Sequence, residues 1–358
     1  MSALYRNKQI FSLAVKFEFS ARNRMRFYIK LGQLLQNGVQ LESALKQLSS
    51  TSSKKSKGSV LPILYERWRK NVSNGMNFGH VLAPYIPSAE AILIETGANS
   101  GRLVDALFNA ADTVGQQTKV KDAIIKNSAY PAILVCMLVA ALVLSSNMVI
   151  PTFAEILPIE DWVGPAYYVA QISEMIRDYG IFIGIVLLML IGVVAFSLPR
   201  WTGRERLHFE GVVPWSLYKM WQGSSFLLAV AAMMQAGVKL DEVSLARISK
   251  NADPYLKQRV NALRKYILSG QNLGEALHMA GYDFPEDELI ADLRVYAKLR
   301  DFDKNLIRIT RTWVSELVEK VEVTMRGLNL VVLILIAVVI GFLITSLYGV
   351  VQQMQAVN

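Results

Sequence analysis

The chain has 358 residues, 53% of them apolar and 19% charged, with a mean hydropathy of +0.30 and a formal net charge of +9; an ordinary soluble domain carries about 45–50% apolar and about 25% charged residues. That apolar content excludes a disordered chain, and 22 glycines and 11 prolines without a period exclude collagen-like or proline-rich fibres. The lone Cys136 excludes a disulfide framework or a thiolate pair, and His80, His208 and His278 are too scattered for a histidine metal site. A basic integral membrane protein with substantial mass outside the membrane is left, and because β-pattern alternation is weak throughout the chain it is expected to be all-α.

From the start, residues 1–20 read as a tail, and Met1 to Lys30 holds no apolar run of signal-peptide length. Arg22, Arg24, Arg26 and Lys30 form a basic run before the first helical stripe. Attraction to anionic lipid, about 1 kcal/mol per residue near a membrane surface, competes with docking to an acidic partner face. Phe27, Leu31, Leu34 and Leu35 then fall at i, i+4, i+7 and i+8, and Leu41, Ala44, Leu45 and Leu48 resume the stripe beyond Gly38. Between Ser49 and Ser59 the sequence is Ser-, Thr- and Lys-rich, which predicts a mobile polar loop. Residues 21–128 are expected to form one cytoplasmic helical bundle.

Charge gaps locate the membrane. No residue is charged between Lys126 and Glu155, between Asp178 and Arg200, or after Arg326. Each run reaches the ~20 residues that an α-helix needs to cross the hydrocarbon. Spans are therefore expected at 129–153, 179–199 and 327–348, with a short loop at 154–178, a second helical domain at 200–326 and a tail at 349–358. Lys119, Lys121 and Lys126 precede the first span, Arg200, Arg204 and Arg206 follow the second, and Lys320 and Arg326 precede the third. The connecting loop holds Arg177 alone against Glu155, Glu160, Asp161, Glu174 and Asp178. The positive-inside rule then puts both large domains in the cytoplasm and the C-terminus outside.

The two large domains are copies of one repeat. Leu34-Leu35-Gln36-Asn37-Gly38-Val39-Gln40-Leu41-Glu42 matches Met233-Met234-Gln235-Ala236-Gly237-Val238-Lys239-Leu240-Asp241. Gly75-Met76-Asn77-Phe78-Gly79-His80-Val81-Leu82 matches Gly270-Gln271-Asn272-Leu273-Gly274-Glu275-Ala276-Leu277, and Ile86-Pro87-Ser88-Ala89-Glu90 matches Phe284-Pro285-Glu286-Asp287-Glu288. Three matches in one order at nearly constant offset indicate duplication. Gly38 and Gly237 read as helix stops, because glycine takes the left-handed C′ conformation without penalty. Gly75, Gly79, Gly270 and Gly274 read as turns or close helix approaches. Glu42 and Asp241, at matching positions, are candidate partner-facing acids alongside the basic run.

The motifs Leu-Leu-x-x-Gly-Val-x-Leu and Gly-x-x-Leu/Phe-Gly-x-x-Leu, set in two repeats with three spans and with Val213-Pro214 before the second copy, resemble one family from about Arg24 to Tyr348. It is the type II secretion F / type IV pilus inner-membrane platform family. The resemblance implies a multi-pass protein of the bacterial inner membrane at the base of a pilus or secretion pseudopilus. It also implies coupling of a cytoplasmic hexameric ATPase to insertion or extraction of pilin or pseudopilin subunits. Further implied partners are other inner-membrane assembly proteins, the lipid bilayer and further copies of the chain. The family's Gly-Glu-x-x-Gly-x-Leu-like turn departs here: Gly97-Ala98-Asn99-Ser100-Gly101-Arg102-Leu103 has alanine for the acid, and Val295 to Asp301 lacks both glycines. The acidic cation site of some relatives therefore lacks a ligand here, despite nearby Glu95 and Asp105. The divergence suggests a specialised, type IVb-like pilus branch.

No P-loop, His-Glu-x-x-His, Cys-x-x-Cys or Gly-x-Ser-x-Gly is present in the sequence, so no enzyme and no cofactor is expected. Asp283, Glu286, Asp287, Glu288 and Asp292 form an acidic cluster, read as a helix start facing water or a partner, with a hard-cation site as the competing reading. The spans carry no Asp, Glu, Lys, Arg or His, which weighs against the alternative of a channel or transporter subunit. Ser145, Ser146 and Asn147 are expected at an interface, with Asn147 bonded to a neighbouring helix. Gly180, Gly184 and Gly192 include a small-residue pair able to bring helices together. Basic residues are dispersed without interleaved aromatics, so nucleic acid is not an expected partner.

Overall fold

A computed structural model describes residues 8–55, 58–298 and 302–357, and every regular element among them is helical. The chain separates into two compact units. One comprises the residues up to Asp122 together with Leu198–Val318, and the other comprises Ala123–Ser197 with the residues from Glu319 onward.

The first unit opens with α1 (Lys8–Glu18), where a tail was expected. Phe11, Val15 and Phe19, four residues apart, present one buried stripe to the core. Helix α2 (Ala21–Gln36) buries Phe27, Tyr28 and Leu31, and its end is closed by Gly38 at φ 81°. There Gly38 N–H donates to Leu35 O and Val39 N–H to Leu34 O, both at 3.0 Å, which is the Schellman pattern. Helix α3 (Leu41–Lys55) runs through most of the segment expected as a mobile loop. Its hydroxyls fold back onto their own helix: Thr51 Oγ1 donates to Gln47 O at 2.8 Å and Ser53 Oγ to Ser49 O at 3.0 Å. These bonds satisfy the hydroxyls within the helix, so they do not compete for its backbone donors. Then follow α4 (Leu61–Ser73), α5 (Phe78–Leu82), α6 (Ser88–Asn99) and α7 (Leu103–Leu144). Trp68, fully buried in α4, sits in an aromatic group with Phe19, Phe27, Tyr65 and Tyr85.

The chain continues with a π-helical turn at Ser145–Val149, α8 (Ile150–Ala154), a 3₁₀ turn at Ile159–Asp161 and α9 (Pro165–Arg200). The second repeat then reproduces the first helix by helix: α10 (Trp215–Gln235), α11 (Glu242–Lys250), α12 (Pro254–Leu268), α13 (Leu273–Ala280), α14 (Asp287–Tyr296) and α15 (Phe302–Val357). Among the described residues three stretches are long and apolar enough to cross a membrane, Leu103–Ala154, Pro165–Arg200 and Asn305–Gln353, and they contain the three expected spans.

Helix boundaries lie outside the charge gaps. Most of the loop expected at 154–178 belongs to α9, and the tail expected from Gly349 continues α15 as far as Val357. Charge gaps measure the width of hydrocarbon, whereas Glu174, Arg177 and Asp178 are compatible with further helical turns in water. In the second unit Ile150, Leu157, Trp162, Ala166, Val169, Ala170 and Val350 form a small core.

Candidate functional site

The repeats share one structural device four times. Gly38, Gly75, Gly237 and Gly270 have φ of 81°, 80°, 82° and 85°. Each accepts the left-handed geometry that turns the chain from one helix toward the next. Gly237 and Gly270 repeat the bonding of Gly38, with Val238 N–H on Met233 O at 2.9 Å and Gln271 N–H on Tyr266 O at 3.1 Å. Gly79 and Gly274 act differently. A Cβ at Gly79 would lie 2.5 Å from the Glu95 backbone, and one at Gly274 would lie 2.5 Å from the backbone of Leu293 and Arg294. Asn77 and Asn272 cap the short helices that begin beside them, accepting from Gly79 N–H at 2.8 Å and Glu275 N–H at 2.9 Å.

The basic run has diverse environments. Arg24 is turned inward: its Nε and Nη2 each donate to Glu90 at 3.0 Å, and Tyr28 donates to the same carboxylate at 2.6 Å. Glu90 is 4% exposed, so Arg24 serves a buried pair inside the bundle instead of lipid or a partner surface. Burial works against the Arg24 charge, yet the Glu90 carboxylate holds its pKa above the ordinary value. Burial, with Glu90 beside it, pushes the Tyr28 hydroxyl well above 10.0. Arg22 Nη2 donates to both carboxylate oxygens of Asp122 at 2.7 Å on the surface, while Arg26 and Lys30 are exposed.

Glu42 is exposed in the first turn of α3. Asp241 is exposed too, but its carboxylate caps α11, accepting from Ser244 N–H at 2.9 Å, while Ser244 Oγ accepts from Asp241 N–H at 3.0 Å. The backbone donor at Ser244 lowers the Asp241 pKa. In the acidic cluster Glu286 starts α14 and accepts from Trp313 Nε1 at 2.9 Å, and Asp287 and Glu288 occupy the first turn. Of the divergent turn at Val295 to Asp301, residues 299–301 lie outside the described residues.

Sequence reasoning missed a second buried centre. Arg206, read only as a charge that orients the second span, is fully buried. Its Nη1 donates to Leu198 O at 2.6 Å and Trp201 O at 2.7 Å, carbonyls at and beyond the end of α9. Glu210 pairs with Arg259, with Lys219 at 3.3 Å and with Arg206 at 3.6 Å. The Arg206 and Arg259 guanidinium carbons stand 3.8 and 3.5 Å from the Tyr255 ring centroid. Charged residues dispersed over 206–259 give no periodic signal, so only folding brings them together.

The two repeats meet within the first unit through polar contacts. Arg247 donates to Glu95 at 2.7 Å, and His80 lies 3.4 Å from the same carboxylate. Asn251 donates to Ser88 Oγ at 2.8 Å, Gln117 to Ser225 O at 3.1 Å, and Arg311 to Asp112 at 2.5 Å. Glu95 is thus engaged by the second repeat. Between α6 and α7 on one side and α10 and α11 on the other lies a cleft of about 300 Å³.

In the second unit Ser146 donates to the backbone oxygen of Ser173 on α9. Asn147, expected to reach a neighbouring helix, instead donates to Val143 O of its own helix at 2.8 Å. The π-helical turn shifts the register there, burying Ser145 and Ser146 and leaving Asn147 exposed. A Cβ at Gly184 or Gly192 would meet nothing within 4 Å, so neither brings helices of this chain together.

A duplicated six-helix repeat, each copy ending in a helix long and apolar enough to span a bilayer, defines the class. The chain belongs to the family described as type II secretion system (T2SS), protein F, which it matches twice, at residues 27–151 and 226–349. Its sequence is also similar to the toxin coregulated pilus biosynthesis protein E of Vibrio cholerae, at 19% identity over 289 residues covering 79% of this chain and 82% of the relative.

Proposed function

We propose that the chain is the inner-membrane platform of a pilus or secretion-pseudopilus assembly machine, a non-enzymatic part that couples a cytoplasmic hexameric ATPase to the movement of pilin subunits through the membrane. The duplication carries this reading. Two copies of one helical repeat, joined through Arg247–Glu95 and Arg311–Asp112, offer a large paired surface on which a partner can act. The last helix of each copy, α7 and α15, is also a candidate span. A movement imposed on either repeat therefore enters an apolar helix without crossing a loop. The sequence contains no phosphate-binding loop, so the energy comes from the partner. The basic residues flanking the spans support a cytoplasmic location for both repeats. The role named for the Vibrio cholerae relative favours pilin over a secretion pseudopilin as the cargo.

Deletion of the gene tests the reading. Pilus or pseudopilus assembly is expected to stop and to return with the wild-type copy, and the tagged full chain is expected to co-purify with an ATPase while hydrolysing no nucleotide alone. Normal assembly in the deletion strain, or hydrolysis by the isolated chain, overturns it.

A further inference from the structure

The cleft between the repeats has the make-up of a small-molecule site. Its floor is apolar, with Leu93 and Ala110 from the first repeat and Phe226 and Ala229 from the second. At one end the exposed Lys121 ammonium stands 5.6 Å from the ring centroid of half-buried Trp221. Drug-sized ligands are held in cavities of about 300–1,000 Å³ at domain interfaces, mostly apolar with a few polar groups, and this cleft of about 300 Å³ sits at the lower bound.

Most polar groups on the wall are committed elsewhere. Arg24 and Glu90 neutralise one another, Thr113 Oγ1 donates to Asn109 O at 2.8 Å, and the Gln117 amide donates to Ser225 O. Asp122, next to Lys121, is held by Arg22. Lys121 has no carboxylate partner among the described residues and is therefore the one lining cation there that is open to an anion. A nucleotide, with several charges, finds no second open cation. An apolar chain fills the floor at no cost in unmet hydrogen bonds.

We infer that the cleft binds a monoanionic amphiphile, its aliphatic chain between the repeats and its carboxylate or phosphate against Lys121 beside Trp221. Two sources supply that chemistry, a free fatty acid and an anionic phospholipid. Because the walls come from both repeats, the bound chain bridges them and resists their separation.

Tryptophan quenching in the full-length chain, reconstituted in phosphatidylcholine nanodiscs, tests the inference. The probes are a brominated fatty acid, brominated phosphatidylglycerol and brominated phosphatidylcholine, and the signal is the difference between wild type and Trp221→Phe. Saturable quenching of that component by an anionic probe is expected, and the neutral probe should not produce it. The fatty acid alone points to a soluble source, and phosphatidylglycerol alone to the bilayer. Lys121→Ala is expected to raise the half-saturating concentration about fivefold, the size of one lysine–lipid attraction, and Lys121→Arg to restore it. No quenching of the Trp221 component by either anionic probe, equal quenching by the neutral one, or an unchanged affinity in Lys121→Ala overturns the inference.

Discussion

Gly79 lies against the backbone of Glu95 so closely that a single added methyl group would stand 2.5 Å from the Glu95 nitrogen, and Gly274 stands in the same relation to Arg294. The duplicated chain has thus kept one close helix crossing in both copies, between α5 and α6 and between α13 and α14. The backbone atoms there cannot yield as the tip of a flexible side chain would.

Gly79→Ala and Gly274→Ala are each expected to destabilise the protein by about 1–3 kcal/mol, the usual cost of overpacking. Gly211→Ala, where a Cβ would meet nothing within 4 Å, is the control. Gly38 also has open space but a φ of +81°, so Gly38→Val should cost about 1–2 kcal/mol through conformation alone and Gly38→Asn much less. Thermal melting of the detergent-solubilised chain reads all five.

The end of α1 and the residue just beyond it provide a comparison. Phe19 is 2% exposed, with ring centroids 5.6 Å from Phe27 and 5.3 Å from Trp68, whereas Phe17 is 86% exposed. Phe19→Ala is expected to cost about 3–5 kcal/mol, and Phe17→Ala to leave the melting temperature within a degree or two. Equal effects would show that α1 does not dock in the core.

Arg24 and Glu90 form a buried pair, so removing one partner strands the other. Arg24→Met should destabilise by about 3–5 kcal/mol, and the double variant Arg24→Met, Glu90→Met by clearly less than the sum of the singles. A double-mutant cycle on melting free energies measures the coupling.

Tyr28 ties the same centre to alkaline pH. Its pKa is raised in the folded protein above the ordinary 10.0, so the stabilisation is complete below pH 10 and declines as the pH rises beyond it. Tyr65 and Tyr255, also raised by burial, act in the same direction. Melting temperatures between pH 8 and 11 should fall at the upper end, and Tyr28→Phe should fall less steeply from a lower plateau.

Orientation is open to cysteine labelling in a Cys136→Ala background. Ser53→Cys on α3 and Val243→Cys on α11, both exposed, should be shielded from a membrane-impermeant thiol reagent in intact cells. Val163→Cys, between α8 and α9, should react once the reagent reaches the external face. Labelling of Ser53→Cys from outside reverses the proposed topology.

By itself, the sequence determined the all-helical class, the three apolar spans and the duplication. These properties are written in local order: runs without charge, a 3.6-residue stripe and glycines spaced alike in two copies. The left-handed turns at Gly38 and Gly237 were legible for the same reason, since the conformation is decided within a few residues. The stripe of Phe11, Val15 and Phe19 was equally present, yet residues 1–20 read as a tail, because burial depends on what lies opposite. Only tertiary structure decided that Arg24 turns in to Glu90, that Arg206 is buried with Glu210 and Arg259, and that Glu95 meets Arg247 across the repeats. A charge far from its partner in sequence carries no mark of that partner, and whether it faces water or a carboxylate is settled when helices distant in the chain pack together.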